Sequence, residues 1–187
     1  RSNAGSILRP PPQISVAQDS VVIVGPSGFC IDRSGSRPNA DNAFVLLGTC
    51  RSVARNAALA EPAQPGILTA AVESGVSGRS LPSRVSISRY FKTPAGRAAL
   101  SASGRAETVR TQDIRVLDDI VLVHAIDKSA DDLLSGNTWR AIFSVNGRII
   151  SATLRDLASD PISQDDGFML LKTFATRIKA ASPGSAG

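Results

Sequence analysis

His124 is the single histidine of the chain, and Cys30 and Cys50 are its only cysteines, so these three side chains are the first candidates for chemistry near neutral pH. A general base needs a group that orients it, and the nearest acid in sequence is Asp127. On a strand, positions 124 and 127 project from opposite faces, so the two do not form a dyad. His124 shares its face with Leu122 and Ile126, the pattern of a packed or edge histidine. Asp131-Asp132 and Asp165-Asp166 are carboxylate pairs, but adjacent side chains point apart, and both pairs fall where a helix cap or a solvated loop would put them. The sequence holds no GxSxG and no HExxH, and Gly25-Pro26-Ser27-Gly28 lacks the GK[ST] of a phosphate loop. With one histidine and two cysteines there is no ligand set for a structural zinc site, and neither a metal nor a cofactor is expected.

The cysteines lie at the two ends of FCIDRSGSRPNADNAFVLLGTC, residues 29–50. Their separation excludes CxxC redox chemistry. A disulfide, two buried free thiols and one reactive thiol remain open. Each cysteine sits at the edge of an apolar, strand-like run, and the polar SGSRPNADN between the runs has turn composition. If the runs lie side by side the sulfurs can meet, and closing a loop of about 20 residues would stabilise the fold by about 3 kcal/mol. The disulfide is the expected arrangement. It would place the protein in an oxidising compartment, the periplasm or cell envelope.

The elements that would position these groups can be read in order. ISVAQDSVVIVGPSGFCID is one or two strands broken by the GPSG turn, and AFVLLGTC is a near-continuous apolar strand of the kind buried on both faces. Residues 51–65 are loop-like, with any helix near Ser52 ended by Pro62 and Pro65, and GILTAAVES is a further strand. Ser80 is a candidate N-cap with Pro82 in the first turn of a helical RVSISRYFK, and Thr93-Pro94 caps a second helix, AGRAALSAS. Residues 107–116 and 120–127 are strands flanking Leu117-Asp118-Asp119. TWRAIFSV and RIISATLRDL flank Asn146-Gly147, the favoured type I′ pair, and predict a hairpin. Ser163 caps a closing helix in which Phe168, Leu171, Phe174, Ala175 and Ile178 recur at helical spacing. Strands, then a helical segment, then hairpins and a final helix make an α+β pattern: a mostly antiparallel sheet of about six to eight strands with flanking helices, the last an amphipathic helix packed on the sheet.

At 187 residues and 42% hydrophobic content the chain has the composition of one globular domain, expected over 13–182. Residues 1–12, polar and ending in three prolines, read as a disordered linker or, from Ser2-Asn3-Ala4, as an expression-tag remnant, and 183–187 as a disordered tail. No apolar run approaches the roughly 20 residues that cross a bilayer. An export signal or membrane tether is expected upstream of residue 1. Aromatic residues make up only 4%, too few for base-stacking platforms, so nucleic acid is not the expected partner. The net charge of +5 is local: from Arg79 to Arg115 eight basic residues accompany two acidic ones. Such a run is either a solvated face or a surface for an acidic partner. Arg84, Arg89, Lys92 and Arg97 are its candidate partner-binding residues, together with Trp139 as a core residue or half-exposed anchor.

The segment WRAIFSVNGRIISATLRDLASDPISQDDGFMLLKTFATRIKAAS resembles the end of Mog1/PsbP-like domains, and GFCIDRS is similar to the opening phrase of related exported domains; the chain also resembles exported α-proteobacterial proteins. The resemblance implies a sheet flanked by helices and an adaptor role, with no catalytic residues to carry over. The expectation is therefore a non-catalytic exported adaptor or binding domain for a protein or other acidic partner. The alternative is a hydrolase or transferase with a site near His124.

Overall fold

The computed structural model describes residues 9–74 and 81–184. Nine strands and four helices follow one another as β1 (Gln13–Val16), β2 (Val21–Val24), β3 (Phe29–Arg37), β4 (Ala43–Thr49), α1 (Cys50–Ala54), β5 (Gly66–Val72), α2 (Arg84–Tyr90), α3 (Pro94–Leu100), β6 (Val109–Leu117), β7 (Ile120–Asp127), β8 (Leu134–Val145), β9 (Arg148–Leu157) and α4 (Gln164–Ala181). The architecture is α+β, as the sequence predicts. Seven strands form one antiparallel sheet in the order β3-β4-β5-β9-β8-β7-β6, and β1 and β2 form a separate hairpin. Two meanders, β3 to β5 and β6 to β9, are joined where β5 pairs with β9.

Register decides what each face carries. On one face Leu47, Leu68, Leu154 and Trp139 line up with His124, and Val45, Ala70, Ala152 and Ala141 line up with Leu122. These rows are buried under α4, whose Phe168, Leu171, Phe174, Ala175 and Ile178 complete the main core with Val21 and Ile23 of β2. Ser163 caps α4 by accepting from Asp166 N, and Asp165 and Asp166 complement the dipole in the first turn. On the other face, α2 and α3 cover the β6–β7 end and reach onto β8, with Ile87, Phe91 and Leu100 packed on Val109, Val121, Val123 and Ala125 and with Ile142 beside them. The rest of that face, including Leu46, Ile67, Thr69 and Ala71, has no helix on it and is half-buried or exposed. The strand β4 therefore alternates buried and half-buried positions, and is not buried on both faces as its apolar run suggests.

Several local expectations are corrected. Ser83, accepting from Ser86 N at 3.1 Å, caps α2; Ser80, expected in that role, and Arg79 lie outside the described residues. The turn-rich SGSR does not leave the sheet but continues β3 to Arg37 through a bulge, because Ser36 Oγ bonds Asp32 O and Leu46 N across the irregular register. The carbonyls of Pro11 and Pro12 accept from Ile31 N and Gly25 N, and Pro183 O accepts from Asn146 Nδ2, so the hydrogen-bonded fold extends past both ends of 13–182. The Asn146-Gly147 turn has φ of 51° and 75° at its two residues, the type I′ signature. Cys30 and Cys50 are joined in a disulfide with Cα atoms 4.8 Å apart. Antiparallel pairing of β3 with β4 sets Cys30 opposite Gly48, and Cys50 N donates to Gly28 O, which brings the two residues together.

Candidate functional site

His124, the first suspect, is held by the core. One ring nitrogen lies 2.7 Å from Gln164 Oε1 and the other 3.0 Å from Asn137 Oδ1, and the ring stacks on Trp139 at 4.7 Å. Asn137 in turn donates Nδ2 to Asp156, a wholly buried carboxylate that also accepts from Ile162 N and Ser135 Oγ. Since the Asn137 amide is committed to a carboxylate through its nitrogen, its oxygen must accept from His124 Nε2. With the proton on Nε2, Nδ1 of the neutral ring is an acceptor and is engaged by the Gln164 side-chain amide through its NH2 end, and the network ties the N-terminus of α4 to β7, β8 and β9. Asp127 is on the other face of β7, as the strand alternation requires. Among the described residues no three of His, Cys, Asp and Glu are grouped as a metal ion would need.

Trp139 is corrected as a partner anchor: it is fully buried between the sheet and α4, with its indole N–H donating to Gln164 O at 3.2 Å. The alternation of β8 aims it inward, and no part of it reaches a partner surface.

The sequence-named cations do converge. Arg84, Arg89 and Lys92 surround a shallow hollow floored by Val85, Ser88 and Val116, with Val85 and Val116 both exposed. Lys92 also borders a groove of about 830 Å³ that wraps the edge strand β6, lined further by Arg97, Arg110, Lys128 and Ile126. Arg110 and Lys128 were not singled out in the sequence. They come together because β6 and β7 pair with Val109 opposite Asp127, which puts Arg110 opposite Ile126 and makes it a diagonal neighbour of Lys128 on the same face. The two acids on the groove are already neutralised: Glu107 by Arg105 at 2.9 Å and Asp113 by Arg115 at 2.9 Å. The Glu107 carboxyl is held below its usual range, first by its own backbone N–H and then by Arg105. Arg89, Lys92, Arg110 and Lys128 have no carboxylate partner among the described residues.

Behind the groove lies Asp127, whose carboxylate is wholly buried. It accepts from Ala102 N at 2.7 Å, from Ser129 N and Oγ, and from Thr108 Oγ1, so one side chain fastens the α3–β6 connection to the β7–β8 turn. Burial alone would raise its pKa, but the donors from Ala102, Ser129 and Thr108 together outweigh it and hold the group below its usual 3.8. A depressed folded-state pKa contributes stability above the unfolded value and loses it as pH falls through the folded one. The expected result is an acid transition below about pH 3.8. Asp127→Asn should remove that transition, as read by thermal melts from pH 7 to pH 2; a transition unchanged in the variant would assign it to other carboxylates.

No family model matches the chain, and no curated protein matches it in sequence. Among solved structures it is similar to the solution structure of cyanobacterial PsbP (CyanoP) from Synechocystis sp. PCC 6803, with a TM-score of 0.44 and 12% identity over 97% of this chain and 96% of that one.

Proposed function

We propose that the chain is a non-catalytic binding domain of the periplasm or cell envelope that docks an acidic protein segment on the basic strip formed by α2 and the β6 edge. The observation that carries this is the gathering of Arg89, Lys92, Arg110 and Lys128, none paired to a carboxylate among the described residues, around the exposed Val85, Val116 and Ile126. Cations steer and orient an acidic partner, and apolar side chains among them supply the desolvated contacts that free phosphates would not use. The Cys30–Cys50 bridge supports the oxidising compartment. Among the described residues, no helix is long and apolar enough to cross a membrane. The alternative of a hydrolase or transferase at His124 loses its motive, since the imidazole is bonded on both sides within a packed network.

The test is binding of a fluorescein-labelled peptide of alternating Glu and Leu to the wild-type protein and to the Arg89→Glu/Lys92→Glu/Arg110→Glu variant. Exposed pairs contribute about 0.2–1 kcal/mol each, so the triple reversal should weaken binding by about tenfold or more. A photo-crosslinker at Ser88 should capture an envelope protein in cells while one at Met169, exposed on α4, should not. Equal peptide affinity in the variant, or equal capture at both positions, would overturn the proposal.

A further inference from the structure

Four buried side-chain nitrogen or oxygen atoms lack a hydrogen-bond partner among the described residues: Arg97 Nε, Thr138 Oγ1, Arg140 Nε and Arg155 Nη1. The first lies at the basic groove. The other three share one patch, because register places Arg155 directly opposite Thr138 and Arg140 directly opposite Thr153 on the adjoining strands β8 and β9. Thr138, Arg140, Thr153 and Arg155 all project from the face opposite α4, at the boundary where α3 stops covering the sheet. The two arginines are diagonal neighbours, about 7–8 Å apart at their Cα atoms.

Buried guanidinium groups are ordinarily matched by carboxylates or carbonyls, because a desolvated charge without a partner is strongly unfavourable. Here the match is incomplete. Arg155 donates Nη2 to Leu100 O at the end of α3, and its Nη1 is 3.7 Å from Asp127 Oδ2. That carboxylate is already occupied by Ala102, Thr108 and Ser129. The Arg140 guanidinium makes no hydrogen bond or ion pair to any described residue, and Thr138 is wholly buried with its hydroxyl unused. Two cations and one spoken-for carboxylate leave the patch with an excess positive charge. Burial and, for Arg140, the neighbouring Arg155 charge push both guanidinium pKa values down, with Asp127 opposing this for Arg155. Beside the patch Thr69, Ser151 and Thr153 are only half-buried, on the half of the sheet that no helix covers.

We propose that Arg140, Arg155 and Thr138 form a binding site for a tetrahedral oxyanion of the phosphate type, held by two guanidinium groups and a hydroxyl. Two guanidinium forks suit a doubly charged group with several acceptor oxygens, and Thr138 adds a donor opposite Arg155 on the strand that carries Arg140. Arg155 is anchored by Leu100 O and Asp127 and presents its remaining donors from a fixed frame, while Arg140 supplies the uncompensated charge. This site is separate from the strip on α2 and β6: it lies on the central strands, and does not depend on the docking of an acidic segment.

The test uses the arginine Nε–H resonances of the full chain, titrated with inorganic phosphate at constant ionic strength set with chloride. The Arg140 and Arg155 signals should move together along a saturating curve at millimolar phosphate, and the melting temperature should rise along the same curve. Arg140→Met, which keeps the stem and removes the charge, should weaken the saturable response by about tenfold or more, the scale of one charge-assisted contact. Thr138→Val serves where that variant does not fold, and should weaken binding while leaving the charges in place. A second arm with glycerol 3-phosphate separates free phosphate from a phosphate monoester: tighter saturation by the ester assigns the site to a phosphorylated small molecule, and tighter saturation by phosphate assigns it to the free ion. A response that is linear in phosphate, that is equal in Arg140→Met, or that saturates with acetate but not with phosphate would overturn the proposal.

Discussion

Trp139→Ala is expected to lower the unfolding free energy by about 3–5 kcal/mol, the range for deleting a large aromatic side chain from a packed interior. Trp139 is fully buried in the row that runs Leu47, Leu68, Leu154, Trp139, His124, and α4 closes over it. Three contacts besides burial depend on it: the stack with His124, the bond to Gln164 O, and the close approach of Gly167. A Cβ at Gly167 would lie 2.1 Å from Trp139 Cε2, so α4 can sit this low on the sheet only with glycine there. Gly167→Ala alone should therefore cost about 1–3 kcal/mol through overpacking. In the Trp139→Ala background the same change should cost much less, since the added methyl then enters the space the indole has left. Urea denaturation of the two single variants and the double variant measures this directly. Additive losses, or a loss below about 1 kcal/mol for Trp139→Ala, would mean that α4 does not rest on the indole.

Whether a feature was legible in the sequence depended on how local its cause is. The Asn146-Gly147 turn, the Thr93-Pro94 and Ser163 caps and the 3.6-residue spacing of α4 act within a few residues of chain, and each is where the pattern puts it. The extent of β3 was not legible. Its SGSR has turn composition, and the bond from Leu46 N to Ser36 Oγ together with the Arg37–Phe44 pair keeps it in the sheet. The face of β4 that lies open was also hidden, because an apolar run records that a strand can be buried and not how many layers the fold stacks on it.

The charged surface was half legible for a similar reason. Arg84 and Arg89 stand on α2, Lys92 lies just past its C-cap, and the three remain together in space. Arg105 and Arg115, from the same linear run, are spent on Glu107, Asp113 and Asp165. Lys128 lies outside the run and joins the groove through strand pairing. Arg140 shows the limit most clearly. Between Trp139 and Ala141 it reads as the solvent-facing member of an alternating strand, yet α2 and α3 cross its face and bury much of it. The sequence signal was the arginine on the third strand of a four-strand meander; what it lacked was any mark of where the α2–α3 segment would lie.

Breaking the Cys30–Cys50 bridge is expected to lower stability by about 3 kcal/mol while leaving the native contacts in place, as the chain-entropy model gives for a loop of this length. The sequence separation is 20, and both cysteines are held by backbone pairing without the sulfurs: Phe29 opposite Thr49, Cys30 opposite Gly48, and Cys50 N on Gly28 O at 2.8 Å. Thr49 also caps α1 by accepting from Ser52 N, so the second cysteine starts from a fixed first turn. Little rearrangement is then needed in the folded state, and the loss falls on the unfolded chain, which regains the freedom of the 30–50 loop. For a chain of this size about 3 kcal/mol corresponds to a fall of roughly 6–12 °C in melting temperature. Cys30→Ala/Cys50→Ala and the reduced wild type should melt alike, below the oxidised protein, with superimposable amide spectra away from β3, β4 and α1. Unreduced protein that takes up an alkylating reagent at both positions, or a melting temperature indifferent to reductant, would remove the bridge as a stabiliser. The same result would take away the main support for an oxidising compartment, because the fold would then stand as well in the reducing cytosol as outside it.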